Sequence, residues 1–207
     1  MPVFTRVKQR FALDASSSPT YGKTRPMHAL IARSLFALTV TLAATAAVAG
    51  PDRVPLLKFK GAIGVDPITA NGAADASNVV RGVNPGGRAW VIRKLDAAIY
   101  SDATVSIRGK RLLFSSGDVI ATRGPVTHVA ATLACGPADA TAAKYTTAPF
   151  ELDAAGDFNF RGALLDGVNT AVLPAVCENP QLLIRGANPT TGVAGGWFAA
   201  GIRDTDD

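Results

Sequence analysis

Few residues in this chain are equipped for acid–base, nucleophilic or metal chemistry. There are two histidines, His28 and His128, and two cysteines, Cys135 and Cys177. A Ser-His-Asp triad uses a single imidazole, so His128 with a serine or aspartate brought close by folding would make a small hydrolase. None of Ser77, Ser101, Ser106, Ser115 or Ser116 stands in a G-x-S-x-G turn, however. A Cys135 thiolate would need His128 as its base. Alternation along the segment Pro125–Cys135 sets those two on opposite faces. With one histidine beyond residue 49, a His/Cys zinc set lacks ligands. Glycoside hydrolysis needs paired carboxylates, but Glu151 and Glu178 are the only glutamates and the aspartates fall mostly at turn positions. Asp153-x-x-Gly156-Asp157 and Asp204-x-Asp206-Asp207 are the acidic clusters, and neither follows a calcium-loop pattern. There is no P-loop and no dinucleotide fingerprint. The expectation is therefore no catalytic, cofactor-binding or metal-ligating residue, and a Cys135–Cys177 disulfide, as an even cysteine pair in an exported chain implies.

The elements that must position these groups read as strands. Short β-branched and apolar runs broken by Gly, Pro, Asn and Asp dominate after residue 49, and amphipathic stretches of helical length are scarce. Strands are expected at Leu57–Val65, Ala89–Leu95 (continuing toward Ile99), Thr104–Arg108, Arg111–Phe114 and Val119–Thr122. Further strands are expected at Pro125–Cys135, Phe150–Leu152, Asp157–Leu165, Leu182–Arg185 and Trp197–Ile202. Residues 66–88 read as a long loop with a helical turn near Ala73–Val80, and 186–196 as a second Gly/Pro/Asn-rich connection suited to presenting a binding edge. Trp90 and Trp197 are expected as core anchors. The fold class is thus all-β, an Ig-like, Greek-key antiparallel β-sandwich forming one domain over 50–207 after an N-terminal leader.

The leader has its own signature. Residues 34–49 are uncharged and largely Ala, Leu, Val and Thr, follow Arg33, and end in Ala47-Val48-Ala49. That is a secretory signal peptide over 27–49, cleaved after Ala49, and the run falls short of the roughly 20 residues needed to span a bilayer. Residues 1–26 are polar and basic without periodicity: either an extended leader or sequence upstream of a true start at Met27. The formal charge of +5 belongs wholly to residues 1–49, because residues 50–207 hold 15 basic and 15 acidic residues. A neutral exported domain lacks the footprint of a nucleic-acid binder. Lys58, Lys60, Arg108, Lys110 and Arg111 are expected to be spread apart by strand alternation. An apolar-Arg-Gly triplet recurs at Ile107-Arg108-Gly109, Phe160-Arg161-Gly162 and Ile184-Arg185-Gly186, each a strand with its Arg toward solvent and a Gly at a bend or bulge. The sharper alternative is an arginine ridge that binds a ligand.

The segment Phe150-Glu-Leu-Asp153-Ala-Ala-Gly156-Asp-Phe158-Asn-Phe160 resembles the D-x-x-G-x-F-x-F hairpin of Cna-B-like and transthyretin-like sandwich domains. That resemblance implies an Ig-type sandwich with a stalk, scaffold or ligand-presenting role. The chain after residue 49 also resembles small exported bacterial proteins of unassigned function. The expected role is an exported, monomeric or weakly oligomeric, non-enzymatic binding or structural module for a protein or carbohydrate ligand, periplasmic or secreted, with no nucleic acid and no membrane span after cleavage. The alternatives are the His128 hydrolase and a surface-polymer subunit with an open edge strand. Cleavage after Ala49 gives a chain beginning at Gly50 with a near-neutral isoelectric point. N-terminal sequencing and isoelectric focusing of the exported protein check this, and a measured value well above 8 contradicts it.

Overall fold

The computed structural model describes residues 54–67 and 78–205. The leader expected over 1–49 and most of the helical turn expected at Ala73–Val80 lie outside them. The described chain is all β, in twelve strands: β1 (Leu57–Gly64), β2 (Trp90–Val91), β3 (Lys94–Ile99), β4 (Thr104–Lys110), β5 (Leu113–Phe114), β6 (His128–Cys135), β7 (Ala143–Thr147), β8 (Phe150–Glu151), β9 (Phe158–Asp166), β10 (Asn169–Thr170), β11 (Gln181–Ala187) and β12 (Ala194–Arg203). Each strand pair is antiparallel.

Eight of these strands form a ring in the order β9-β4-β3-β1-β12-β11-β6-β7, and β7 returns to β9. The expectation of two facing sheets therefore gives way to one closed barrel. The reason lies in β7, a strand without a strong apolar pattern, which pairs β6 on one side and β9 on the other. Its closing seam is short, Thr146 opposite Leu165 and Thr147 opposite Leu164. Closure removes the long open edge that strand-exchange assembly would use.

The barrel is filled. Phe59, Leu95, Ile99, Ile107, Leu133, Leu164, Leu182 and Ile184 are almost wholly buried in one contiguous cluster. Interior positions of an eight-stranded barrel hold side chains in this way. At one end Trp90 stacks on Phe198, 4.1 Å between centroids, and tilts against Phe114 at 4.2 Å. Trp197 is also buried, its indole N–H donating to the Asn78 carbonyl at 2.8 Å. Both tryptophans are core anchors, as expected.

The recurring Arg-Gly pairs acquire a physical meaning in this ring. Arg108 and Arg161 face out and are exposed, while the glycine after each faces in. A Cβ at Gly109 would collide with the Phe158 ring, one at Gly162 with Phe160, and one at Gly186 with Phe198. None of these three glycines has a positive φ. They supply room for an aromatic ring rather than a bend, although β11 does carry a register irregularity between Arg185 and Ala187. The bulge in β1, between Phe59 and Ala62, is at Gly61, whose φ of 83° is the left-handed conformation glycine adopts without strain.

Several other local expectations change. Ala89–Leu95 divides into β2 and β3, and β2 leaves the barrel to pair with β5. Val119–Thr122 is a turn, held by Ile120 N–H to Gly117 O and Thr122 N–H to Val119 O, both 3.2 Å. Phe150–Glu151 and β9 do not form a ladder; β8 pairs with β6. The tight turn between them exists, with Gly156 N–H donating to Asp153 O at 3.0 Å. Phe150 is drawn over β9 by its ring, stacked on Phe160 at 4.7 Å and tilted on Phe158 at 5.7 Å. Where β6 changes partner from β7 to β8, the Ala131 N–H donates instead to the buried Thr147 hydroxyl at 3.0 Å, which fills a gap in the ladder.

Gly109→Ala is expected to lower unfolding free energy by about 1–3 kcal/mol through overpacking against Phe158. The same substitution should cost less in a Phe158→Leu background. Urea unfolding of the four chains measures this coupling, and additive effects would contradict ring-on-glycine packing.

Candidate functional site

His128 opens β6 and is half-buried. Its Nδ1 lies 3.0 Å from the neighbouring Thr127 hydroxyl, and Glu151 stands opposite it in the β6–β8 register. Among the described residues no serine or aspartate is hydrogen-bonded to it. Cys135 lies on the inward face with Val129, Ala131 and Leu133, so the two residues are separated by the strand as expected.

Cys135 and Cys177 are joined as a disulfide, with Cα atoms 5.0 Å apart and a separation of 42 in sequence. Both are buried. The bridge ties the segment after β10 to the end of β6, where Gly136 N–H also donates to Glu178 O at 2.8 Å. On the chain-entropy model a closed loop of this length contributes about 4 kcal/mol.

No cluster of three or more His, Cys, Asp or Glu that would hold a metal ion occurs among the described residues. The Asp153/Asp157 pair is turn chemistry. The Asp153 carboxylate accepts from the N–H groups of Ala155 and Asp157 at 2.9 and 2.8 Å. Asp157 accepts from Lys110 Nζ at 2.8 Å and from Arg111 N–H at 2.9 Å. The hydrogen bond from Lys110, followed by that from the Arg111 backbone, holds the Asp157 carboxyl below its ordinary value of 3.8.

Two regions of the outer surface carry grooves wide enough to be considered as candidate sites. The first surrounds the β11–β12 hairpin, within the 186–196 connection. Asn188 turns it, its side-chain oxygen accepting from Thr190 and Thr191 N–H at 2.9 and 3.0 Å. Arg185 braces its base, donating through Nε to Gly195 O and through Nη2 to Ala194 O, both 2.8 Å, and through Nη1 to Thr132 Oγ1 at 3.3 Å. Burial lowers the Arg185 pKa, yet a guanidinium remains charged. Grooves of about 600 and 670 Å³ flank the hairpin.

The second is the outer wall of β1, β3, β4 and β9. Lys60, Asp96, Arg108 and Asn159 stand in one row across the four strands, and Lys58, Ala98, Ser106 and Arg161 in the next. The expectation that alternation would scatter these cations is corrected. Lys58, Lys60, Arg108 and Lys110 all have even numbers on strands whose register keeps parity, so they emerge on one face. Arg111, beyond the end of β4, leaves the set with a φ of 59°. Arg161 joins it, so two of the three recurring arginines share one groove of about 340 Å³ while Arg185 lies elsewhere. Strand parity was the signal that would have found this wall, but the pairing of β4 with β9 over some 50 positions was not legible.

Comparison with protein-family models, with curated proteins and with solved structures finds no match to this chain. No helix among the described residues is long and apolar enough to cross a membrane.

A carboxyl held below its ordinary pKa stabilises the fold above pH 3.8, and that contribution is lost as the pH falls through the lowered value. Asp157→Asn is therefore expected to cost about 1 kcal/mol at neutral pH, the scale of one hydrogen-bonded surface ion pair. The gap to wild type should close in acid. Urea titrations from pH 7 to pH 2 measure it, and a constant gap would contradict the assignment.

Proposed function

We infer that this chain is an exported, non-enzymatic binding module, monomeric, acting outside the cytoplasm through the outer surface of its barrel. The observation that carries this reading is the packed interior. With Phe59, Leu95, Ile107, Leu133 and Leu182 occupying the barrel, recognition falls to its exterior walls and hairpins. The disulfide supports an oxidising compartment. The N-terminal signal pattern supports export. The neutral charge of residues 50–207 favours a protein or carbohydrate partner over nucleic acid.

The hydrolase alternative would need His128 to act on a nucleophile, and Thr127 is the hydroxyl that its ring meets. Incubation with a fluorophosphonate probe and with ester, peptide and glycoside chromogenic substrates is expected to give neither labelling nor turnover. Turnover that disappears in His128→Ala would overturn the non-enzymatic reading.

A further inference from the structure

We propose that the outer wall formed by β1, β3, β4 and β9 is a binding site for a carboxylated oligosaccharide, a chain of uronic-acid type. The inference rests on the binding-module reading and gives it a location and a ligand class.

The wall carries more positive charge than its own acids neutralise. Lys58, Lys60, Arg108 and Arg161 line one groove with two acids, Asp96 and Asp204. Asp96 is already engaged by Lys94 at 3.0 Å, at the edge of the patch. Lys110, further along β4, is matched by Asp157 at 2.8 Å. Among the described residues Lys60, Arg108 and Arg161 have no ion-pair partner. Three cations without a direct ion pair, on rigid strands rather than on loops, form a preorganised anion surface.

The groove is also longer than one anion. It runs into a second groove of about 480 Å³ that shares Ser106 and Arg161 and ends at Thr104 and Tyr100. With strands about 4.8 Å apart, the crossing from β1 to β9 covers roughly 15 Å, which is the scale of an oligomer. Arg108 and Arg161 are diagonal neighbours on β4 and β9. At that spacing of roughly 7–8 Å each guanidinium can take a carboxylate in its two-pronged geometry.

The groups between the cations choose the class of anion. Asp96, Asp204 and the hydroxyls of Ser106 and Thr104 accept hydrogen bonds, and Tyr100 offers a ring face. A single-stranded DNA brings an anion at every unit, as a uronic-acid chain does, but no free sugar hydroxyl to donate to Asp96 and Asp204. A neutral glycan leaves the three cations unanswered. A carboxylated sugar supplies anions for Lys60, Arg108 and Arg161, and hydroxyl donors for the acids between them.

The test is affinity electrophoresis and titration calorimetry of the full exported chain with polygalacturonate. Parallel arms use the fully methyl-esterified polymer, dextran and a single-stranded oligonucleotide. The expected result is binding to polygalacturonate alone, weakened at least tenfold in Arg108→Gln/Arg161→Gln and in Lys60→Gln, and unchanged in Lys144→Gln, which lies in the hairpin groove. Wild-type binding to the methyl ester as tight as to the acid overturns the proposal, as does tighter binding to the oligonucleotide. Binding lost in Lys144→Gln and kept in the wall variants overturns the site while leaving the binding-module reading intact. Absence of binding to polygalacturonate overturns the ligand class, and absence of binding to a wider glycan and protein array as well overturns the module reading.

Discussion

The barrel depends on aromatic rings seated over glycines that face the interior. Phe158 of β9 lies on Gly109 of β4, directly across the β4–β9 pairing, and Phe160 lies on Gly162 further along β9 itself. That pairing joins strands far apart in sequence and carries half of the outer wall. Rings of this size would not fit a small barrel if every inward position bore a side chain. Removing a side chain at chosen points lets the sheet close around them at interior packing density. Phe150 extends the same cluster and brings β8 across to β6, so one aromatic group organises four strands.

Much of this was legible from the sequence, and the losses have identifiable causes. The alternation in Leu57–Val65 and Thr127–Cys135 gave β1 and β6 nearly to their ends because each has one face in the core. The disulfide followed from an even cysteine count beside a secretory signal pattern. β7 was missed because Ala143-Lys-Tyr-Thr-Thr147 has no apolar alternation; only Thr147 in it is fully buried, and there its hydroxyl serves a backbone amide. Missing that strand turned a ring into two sheets. The recurring Arg-Gly pairs were seen, but glycine in a strand suggests a bulge until the ring lying on it is known, and for Gly109 and Gly186 that ring belongs to another strand.

The functional surface was legible only by half for the same reason. Composition placed the whole basic excess in residues 1–49, and strand alternation was then expected to scatter the bases that remain. Net charge is silent about arrangement. The acids of this domain sit largely in turns, where Asp102, Asp139 and Asp153 cap local N–H groups. The bases on β1, β4 and β9 instead occupy outward strand positions. A chain that sums to zero can thus be polarised between its turns and its wall.

The pairing of β1 with β12, Phe59 opposite Arg203, sets the first barrel strand beside the last. In a chain that grows from its N-terminus, β1 can pair with β3 early, but its other edge has no partner until the ten-residue β12 has been made. The ring therefore cannot complete until β12 is available to pair with both β1 and β11. Barrel closure is thus the last pairing open to a chain that grows from β1 toward β12, and the disulfide between β6 and the segment before β11 secures the neighbouring wall.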